Sequence, residues 1–247
     1  MIILAFMVFL LMDARIESLW IIIPLAIVYL VLLVVESVRI NSGFYLEALC
    51  RGNTKEKIVA LTFDDGPDEI YTPRILEILE KHQIPACFFI IGKKAEEREN
   101  ILRLAISKGH IIGNHSYGHH FFFDFFGRKK MERDLVKTEN IIKDVTGKKQ
   151  LLFRPPYGVT NPTLAKVVKN RRYKVIGWSV KSFDTTIKSA DKITERVLKG
   201  LQPGAVILMH DDREITLKVL EKVIIKIKEH GYRFVGLEEM MENRQEC

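Results

Sequence analysis

The 247-residue chain is poor in cysteine and tryptophan and has no low-complexity tract. Cys50, Cys87 and Cys247 are odd in number and lack CxxC spacing, which excludes a cysteine metal cluster and argues against a disulfide framework. Cys87, inside ACFFII, reads as a small buried residue. Acidic side chains are the scarcer charge, 31 against 38 basic, for a net +7. The first 36 residues hold only Arg15 against Asp13, Glu17 and Glu36, leaving 37 basic and 28 acidic residues and a net of about +9 beyond them. No nucleic-acid motif accompanies that charge. It is spread along amphipathic stretches such as LKVLEKVIIKIKEH, so nucleic acid is not an expected partner, whereas anionic lipid or wall polymer suits the surface.

Charge is missing altogether from two N-terminal runs, residues 1–12 and Leu19–Val35. The second, LWIIIPLAIVYLVLLVV, reaches about 25 Å as a helix, near the lower limit for crossing a hydrocarbon core. It lacks the polar face of a soluble helix, and Val34-Val35-Glu36-Ser37 offers no small-residue cleavage site, so it reads as a membrane span rather than a signal peptide. The first twelve residues are short for a span and are read as one arm of a hairpin. Pro24 is tolerable within a span. Residues 1–36 thus form an anchor, 37–56 a linker and 57–247 the globular domain. Arg39, Arg51, Lys55 and Lys57 follow the span, a bias that by itself leans the domain toward the cytoplasm.

What the rest has is alternation. Strand-like runs fall at 58–63, 86–91, 110–113, 151–153, 174–180, 205–209 and 233–237, and helix-like segments lie between them, several ending at Gly109, Gly147, Gly200 or Gly231. The pattern predicts an α/β fold with a parallel sheet, either open or a barrel of seven strands. Such folds gather chemistry beyond the carboxyl ends of their strands. The exits here read Asp64-Asp65, Asn114-His115, Arg154-Pro155-Pro156-Tyr157, Lys181 to Asp184, and His210-Asp211.

Two adjacent carboxylates ending an apolar strand repel each other unless something positive is near. His115 and His119 are four apart, so a helical turn would put both imidazoles on one face, as two-histidine metal ligation uses. A carboxylate from another strand end completes a His-His-Asp site with open positions, as catalytic zinc requires. One aspartate then binds a divalent metal and its neighbour is left as a base. His120 would point about 100° from His119 on such a helix and is not a ligand. The FFFDFF run, 121–126, reads as loop packing, with a sugar or lipid platform as the alternative.

TFDDGP (62–67), HSYGH (115–119), RPPYG (154–158), WSVKSFD (178–184) and LMH (208–210) resemble, in order, the five motifs of the NodB-type polysaccharide deacetylases, carbohydrate esterase family 4. The resemblance spans roughly residues 57–240. It implies a distorted (β/α)7 barrel, here preceded by the membrane-spanning segment, and metal-dependent removal of N-acetyl groups from amino sugars. By the same resemblance Asp65, His115 and His119 hold the metal, most simply Zn²⁺, with Co²⁺ and Ni²⁺ also suited to the donors. Asp64 is the general base, Arg154 orients it, the Tyr157 backbone N–H steadies the oxyanion and His210 is the general acid. Ser116 supports the metal loop and Leu208 lines the acetyl pocket, while Pro155, Trp178, Lys181 and Asp184 complete the substrate-side and supporting set.

The fourth motif departs from the family pattern: Lys181 replaces an acid expected to support His210, and Thr185 replaces a tryptophan of the substrate groove. A lysine close to His210 would lower the imidazole pKa. The expected substrate is an N-acetylglucosamine-containing envelope polysaccharide, peptidoglycan- or chitin-like, reached from the outer face of the cytoplasmic membrane. The alternatives are a lipid-linked amido sugar at the membrane and a catalytically silent glycan-binding relative.

Overall fold

A computed structural model describes residues 16–242; the apolar run at 1–12 and the cysteine at 247 lie outside the described residues. Helix α1, Ile16–Val38, contains the expected span and is the one described helix long and apolar enough to cross a membrane. Most of its apolar side chains are bare, with Trp20, Leu30 and Val38 more than half exposed, while Ile22 is buried. Within the expected linker, Ile40 and Leu49 are buried, and Leu49 bridges to Ile176 while Arg51 bridges to Ala205.

The described residues form eight strands: β1 Ile58–Asp64, β2 Ala86–Ile90, β3 Ile111–Asn114, β4 Leu152–Phe153, β5 Lys174–Val175, β6 Val180–Lys181, β7 Ala205–His210 and β8 Arg233–Phe234. They pair in the order β5-β4-β3-β2-β1-β7-β6, all parallel, with β8 on the start of β1. The curled sheet is a seven-stranded, incomplete barrel left open between β5 and β6. The single run expected at 174–180 is two short strands, because the chain turns through Gly177 and Trp178 between β5 and β6.

Periodicity explains why β1 reads as an unbroken apolar run. Val59, Leu61 and Phe63 pack in one core beneath the helices, whereas Ile58 and Ala60 face a second core with Phe89 and Val206. Both faces are buried, as parallel sheets require. Thr62 and Asp64 continue the Ala60 side by the period of two. Register then brings strand ends level: Asp64 pairs with His210 and with Phe89, and Asn114 pairs with Phe153. The helix expected to end at Gly109 is broken into Gly92–Glu96 and Glu99–Ser107.

Candidate active site

Strand ends converge on a cleft of about 470 Å³, lined by Asp64, Asp65, His115, His119, Tyr157, Trp178, Lys181, Leu208 and His210 among others. Asp64 is buried at the end of β1. Arg154, fully buried, donates from Nη1 to Asp64 Oδ1 at 2.7 Å and to Thr62 Oγ1 at 2.9 Å. Its Nε and Nη2 donate to the carbonyls of Ile176 and Gly177, and its guanidinium lies 4.3 Å from the Phe89 ring centroid. Every edge of the fork is occupied, so Arg154 holds Asp64 in one orientation.

Asp65 lies one residue past the strand, in a left-handed conformation with φ 74°. Its Oδ1 is buried without a hydrogen-bond partner, 3.6 Å from His115 Nε2 and 3.4 Å from His119 Nε2. These three donors lie within 4.8 Å of one another. His115 Nδ1 is 2.8 Å from the Arg154 carbonyl, which can only accept, so that nitrogen carries the proton and Nε2 presents its lone pair. Burial, then the neighbouring His115, lower the His119 pKa to about 4, which keeps it neutral near pH 7. Burial pushes the Asp65 carboxyl up, but His115 and His119 outweigh it and hold it below its ordinary value. An orphaned carboxylate oxygen facing two imidazole nitrogens fits a divalent cation of the zinc class.

The histidine pair does not lie on a helix. Ser116 (φ 67°) and His119 (φ 42°) are left-handed, and the loop is tied by Asn114 Oδ1, which accepts from the Ser116 N–H, and Ser116 Oγ, which accepts from the His119 N–H. The rings meet all the same, with centroids 4.9 Å apart. His120 turns outward because its Nδ1 accepts from the Phe122 N–H and its ring packs on Phe122 and Phe126, a different reason from helical phase.

Support for His210 comes from Asp184, and the expectation that position 181 supplies it is corrected. Asp184 Oδ1 lies 2.7 Å from His210 Nδ1, and Oδ2 accepts from the His210 N–H and from Thr216 Oγ1. Left-handed Phe183, φ 60°, swings Asp184 back under the imidazole. Lys181 instead lays its ammonium 5.4 Å from the Trp178 ring centroid and 5.2 Å from that of Phe183. Burial lowers the His210 pKa, but Asp184 and then Asp64 and Asp65 outweigh it, so the net shift is upward from 6.5. That is opposite in sign to the expectation from Lys181.

Tyr157 closes the other side of the cleft, left-handed at φ 58°, with its ring edge-on to His119 at 4.7 Å. Pro155 and Pro156 start the turn, whose carbonyls accept from Gly158 and Val159. Trp178 packs so closely on Gly158 that a Cβ there would stand 2.4 Å from the indole. Leu208, buried on β7, floors the cleft.

Several supporting residues were given no role by the sequence. Lys94 Nζ donates to the Asp65 carbonyl at 2.7 Å and pairs with Asp212 at 3.2 Å, bracing the loop from a helix 29 residues away. Asn114 anchors β3 by donating to the Leu135 carbonyl. Asp211, fully buried behind Gly66, accepts from Thr72 Oγ1, and burial raises its pKa to about 7. Only its place beside His210 in the sequence hinted at a role.

Carboxylates and imidazoles gathered at the carboxyl ends of a parallel α/β barrel define a candidate hydrolytic centre, whose Asp65, His115 and His119 could hold a metal ion. The polysaccharide deacetylase family pattern matches residues 51–176. A peptidoglycan-N-acetylglucosamine deacetylase of Bacillus cereus is 37% identical over 192 residues, 76% of this chain and 70% of the relative. The peptidoglycan-N-acetylmuramic acid deacetylase PdaA of Bacillus subtilis is 32% identical over 203 residues, covering 81% and 75%. The solved structure of PdaA, a family 4 carbohydrate esterase, superposes with a TM-score of 0.73 at 31% identity over 80% of this chain and 86% of that one. BA3943 of Bacillus anthracis, described as a pseudoenzyme of the same family, superposes at 0.75 with 30% identity over 81% and 70%. The chain belongs to the polysaccharide deacetylase family, hydrolases of the carbon–nitrogen bond of acetamido sugars.

Proposed function

We propose that this protein is a metal-dependent N-deacetylase of acetamido sugars in a cell-envelope glycan containing N-acetylglucosamine, acting from the outer face of the membrane. One observation carries the reading: an Arg154-held Asp64 and an Asp184-held His210 flank the Asp65–His115–His119 donor set in a single cleft. The similarity to peptidoglycan deacetylases supports the substrate class, and the full set of donors argues against a silent glycan-binding role.

Asp65, His115 and His119 would hold the metal, which when bound would acidify water and polarise the acyl oxygen. Asp64 takes a proton from the attacking water; Arg154 keeps its second oxygen aimed at the cleft. The water oxygen bonds to the acyl carbon, and the displaced electron pair collects on the acyl oxygen, to which the Tyr157 N–H donates. His210 then gives the proton on its outward Nε2 to the sugar nitrogen as the carbon–nitrogen bond breaks, releasing acetate and the free amine. Leu208 packs against the acetyl methyl and Trp178 walls the sugar site. The donor geometry suits Zn²⁺, Co²⁺ or Ni²⁺.

Acetate release from chitooligosaccharide, peptidoglycan and a lipid-linked acetamido sugar by the full-length chain with added Zn²⁺ tests the reading. Turnover that disappears in Asp64→Asn is expected; no acetate from any of the three refutes it. The lipid-linked reading is favoured by one feature, the bare phenylalanines whose nearest member, Phe121, lies 6.2 Å from Tyr157 at the cleft rim.

A further inference from the structure

The FFFDFF loop divides into two parts. Phe123 is buried in the core with Met131 and Leu135, so packing accounts for one ring. Phe121, Phe122 and Phe125 are 73%, 55% and 84% exposed, an apolar patch that no described element covers and that soluble surfaces seldom leave bare. Arg128, Lys129 and Lys130, all exposed, follow it directly.

The patch is joined to the end of α1. The Thr160 N–H donates to the Ser37 carbonyl at 2.8 Å, and the next residue, Asn161, donates from Nδ2 to the Asp124 carbonyl at 2.9 Å. Both contacts lie just past the catalytic turn at Tyr157, so the apolar helix leaves the domain on its catalytic face. Only Arg39 separates Val38 from buried Ile40, a reach of at most about 7 Å. Phe44, 57% exposed, lies four residues further along. With so short a tether, a bilayer crossed by α1 must lie against this face. Aromatic rings beside basic side chains match the headgroup layer of an anionic membrane.

We propose that Phe121, Phe122, Phe125 and Phe44, with Arg128 to Lys130, form a docking surface for an anionic lipid bilayer, which holds the cleft mouth at the headgroup layer. This rests on α1 being a membrane span, and it narrows the substrate to acetamido sugars presented at the membrane surface. Phenylalanine burial supplies the affinity. The basic run supplies preference for anionic lipid.

The test reconstitutes the full-length chain in phosphatidylcholine–phosphatidylglycerol vesicles with or without bromine on the acyl chains, and reads tryptophan quenching. Trp20 of the parent reports the span; Trp20→Phe leaves only Trp178, in the cleft; Trp20→Phe with Phe125→Trp reports the loop. Phe125 is exposed, so the change does not disturb packing. The expected result is quenching of the residue-125 tryptophan by about twofold beyond the Trp20→Phe background. No excess quenching, while Trp20 of the parent is quenched, overturns the docking surface and leaves the span standing. Absence of quenching at Trp20 removes the span and the proposal with it. Quenching of residue 125 by added chitooligosaccharide but not by brominated lipid makes the loop a glycan platform and also overturns it. None of these readouts depends on turnover, so a failure of the deacetylase reading is seen separately.

Discussion

Asp184→Asn removes one charge from a carboxylate that accepts three hydrogen bonds, two from His210 and one from Thr216. The amide keeps an oxygen for the His210 N–H and Thr216, but turns its NH₂ toward His210 Nδ1. An imidazolium would then face a donor with a donor. Burial is then opposed only by Asp64 and Asp65, and the His210 pKa falls from its raised position. The acid must be protonated to serve the leaving amine, so a raised pKa keeps the enzyme active to higher pH and a lowered one draws the alkaline limb to the acid side. Loss of effective acid catalysis lowers kcat by about 10²–10⁴ near pH 7.5, with KM little changed. The assay is free-amine release from chitooligosaccharide by parent and variant across pH 5–9. Overlaying kcat profiles would refute the reasoning. Lys181→Asp, run alongside, is expected to leave the limb in place, because Lys181 lies over Trp178 and Phe183.

Alanine at Asp65, His115 or His119 should cost more than about 100-fold in metal affinity and abolish turnover, whereas Asp64→Asn keeps the metal and loses activity; stoichiometric metal in His119→Ala, by elemental analysis, sinks the ligand assignment. Arg154→Lys gives up a fork bonded to Asp64, Thr62 and two carbonyls, and should destabilise the domain by about 3 kcal/mol or more, read by denaturant unfolding. An unchanged midpoint contradicts that accounting. A reporter fused after Cys247 should be active only outside the cytoplasmic membrane; activity confined to the cytoplasm reverses the proposed topology.

Much of the site was legible because parallel barrels place polar groups at one strand end after another. Asp64 is readable as barrel-facing from the period of two along β1, and the register that sets it beside His210 follows from two apolar runs of similar length. What could not be read was loop direction. Position 181 ends β6 and 184 follows it, and only the left-handed turn at Phe183 decides which side chain reaches His210. The histidine spacing suggested a helix, yet the rings meet through a loop held by Asn114 and Ser116. Lys94 and Thr216 are brought in by tertiary packing from elements distant in sequence.

These failures of local reading share a physical cause. Asp65, Ser116, His119, Tyr157 and Phe183 are five of the seven described non-glycine residues with positive φ, and all five stand in turns leaving strand ends at the cleft. Each costs about 1 kcal/mol or more relative to ordinary backbone, and no propensity scale favours them. They persist because the surroundings fix them: Lys94 on the Asp65 carbonyl, Asn114 and Ser116 within the histidine loop, Trp178 against Gly158 beside Tyr157, and Thr216 on Asp184. Strain in the turns and the buried polar clamps that oppose it are therefore one system. Its product is rigidity, which fixes the donors, Asp64 and His210 around one space before substrate arrives. Loosening a clamp such as Lys94 should displace Asp65 without touching any reacting group.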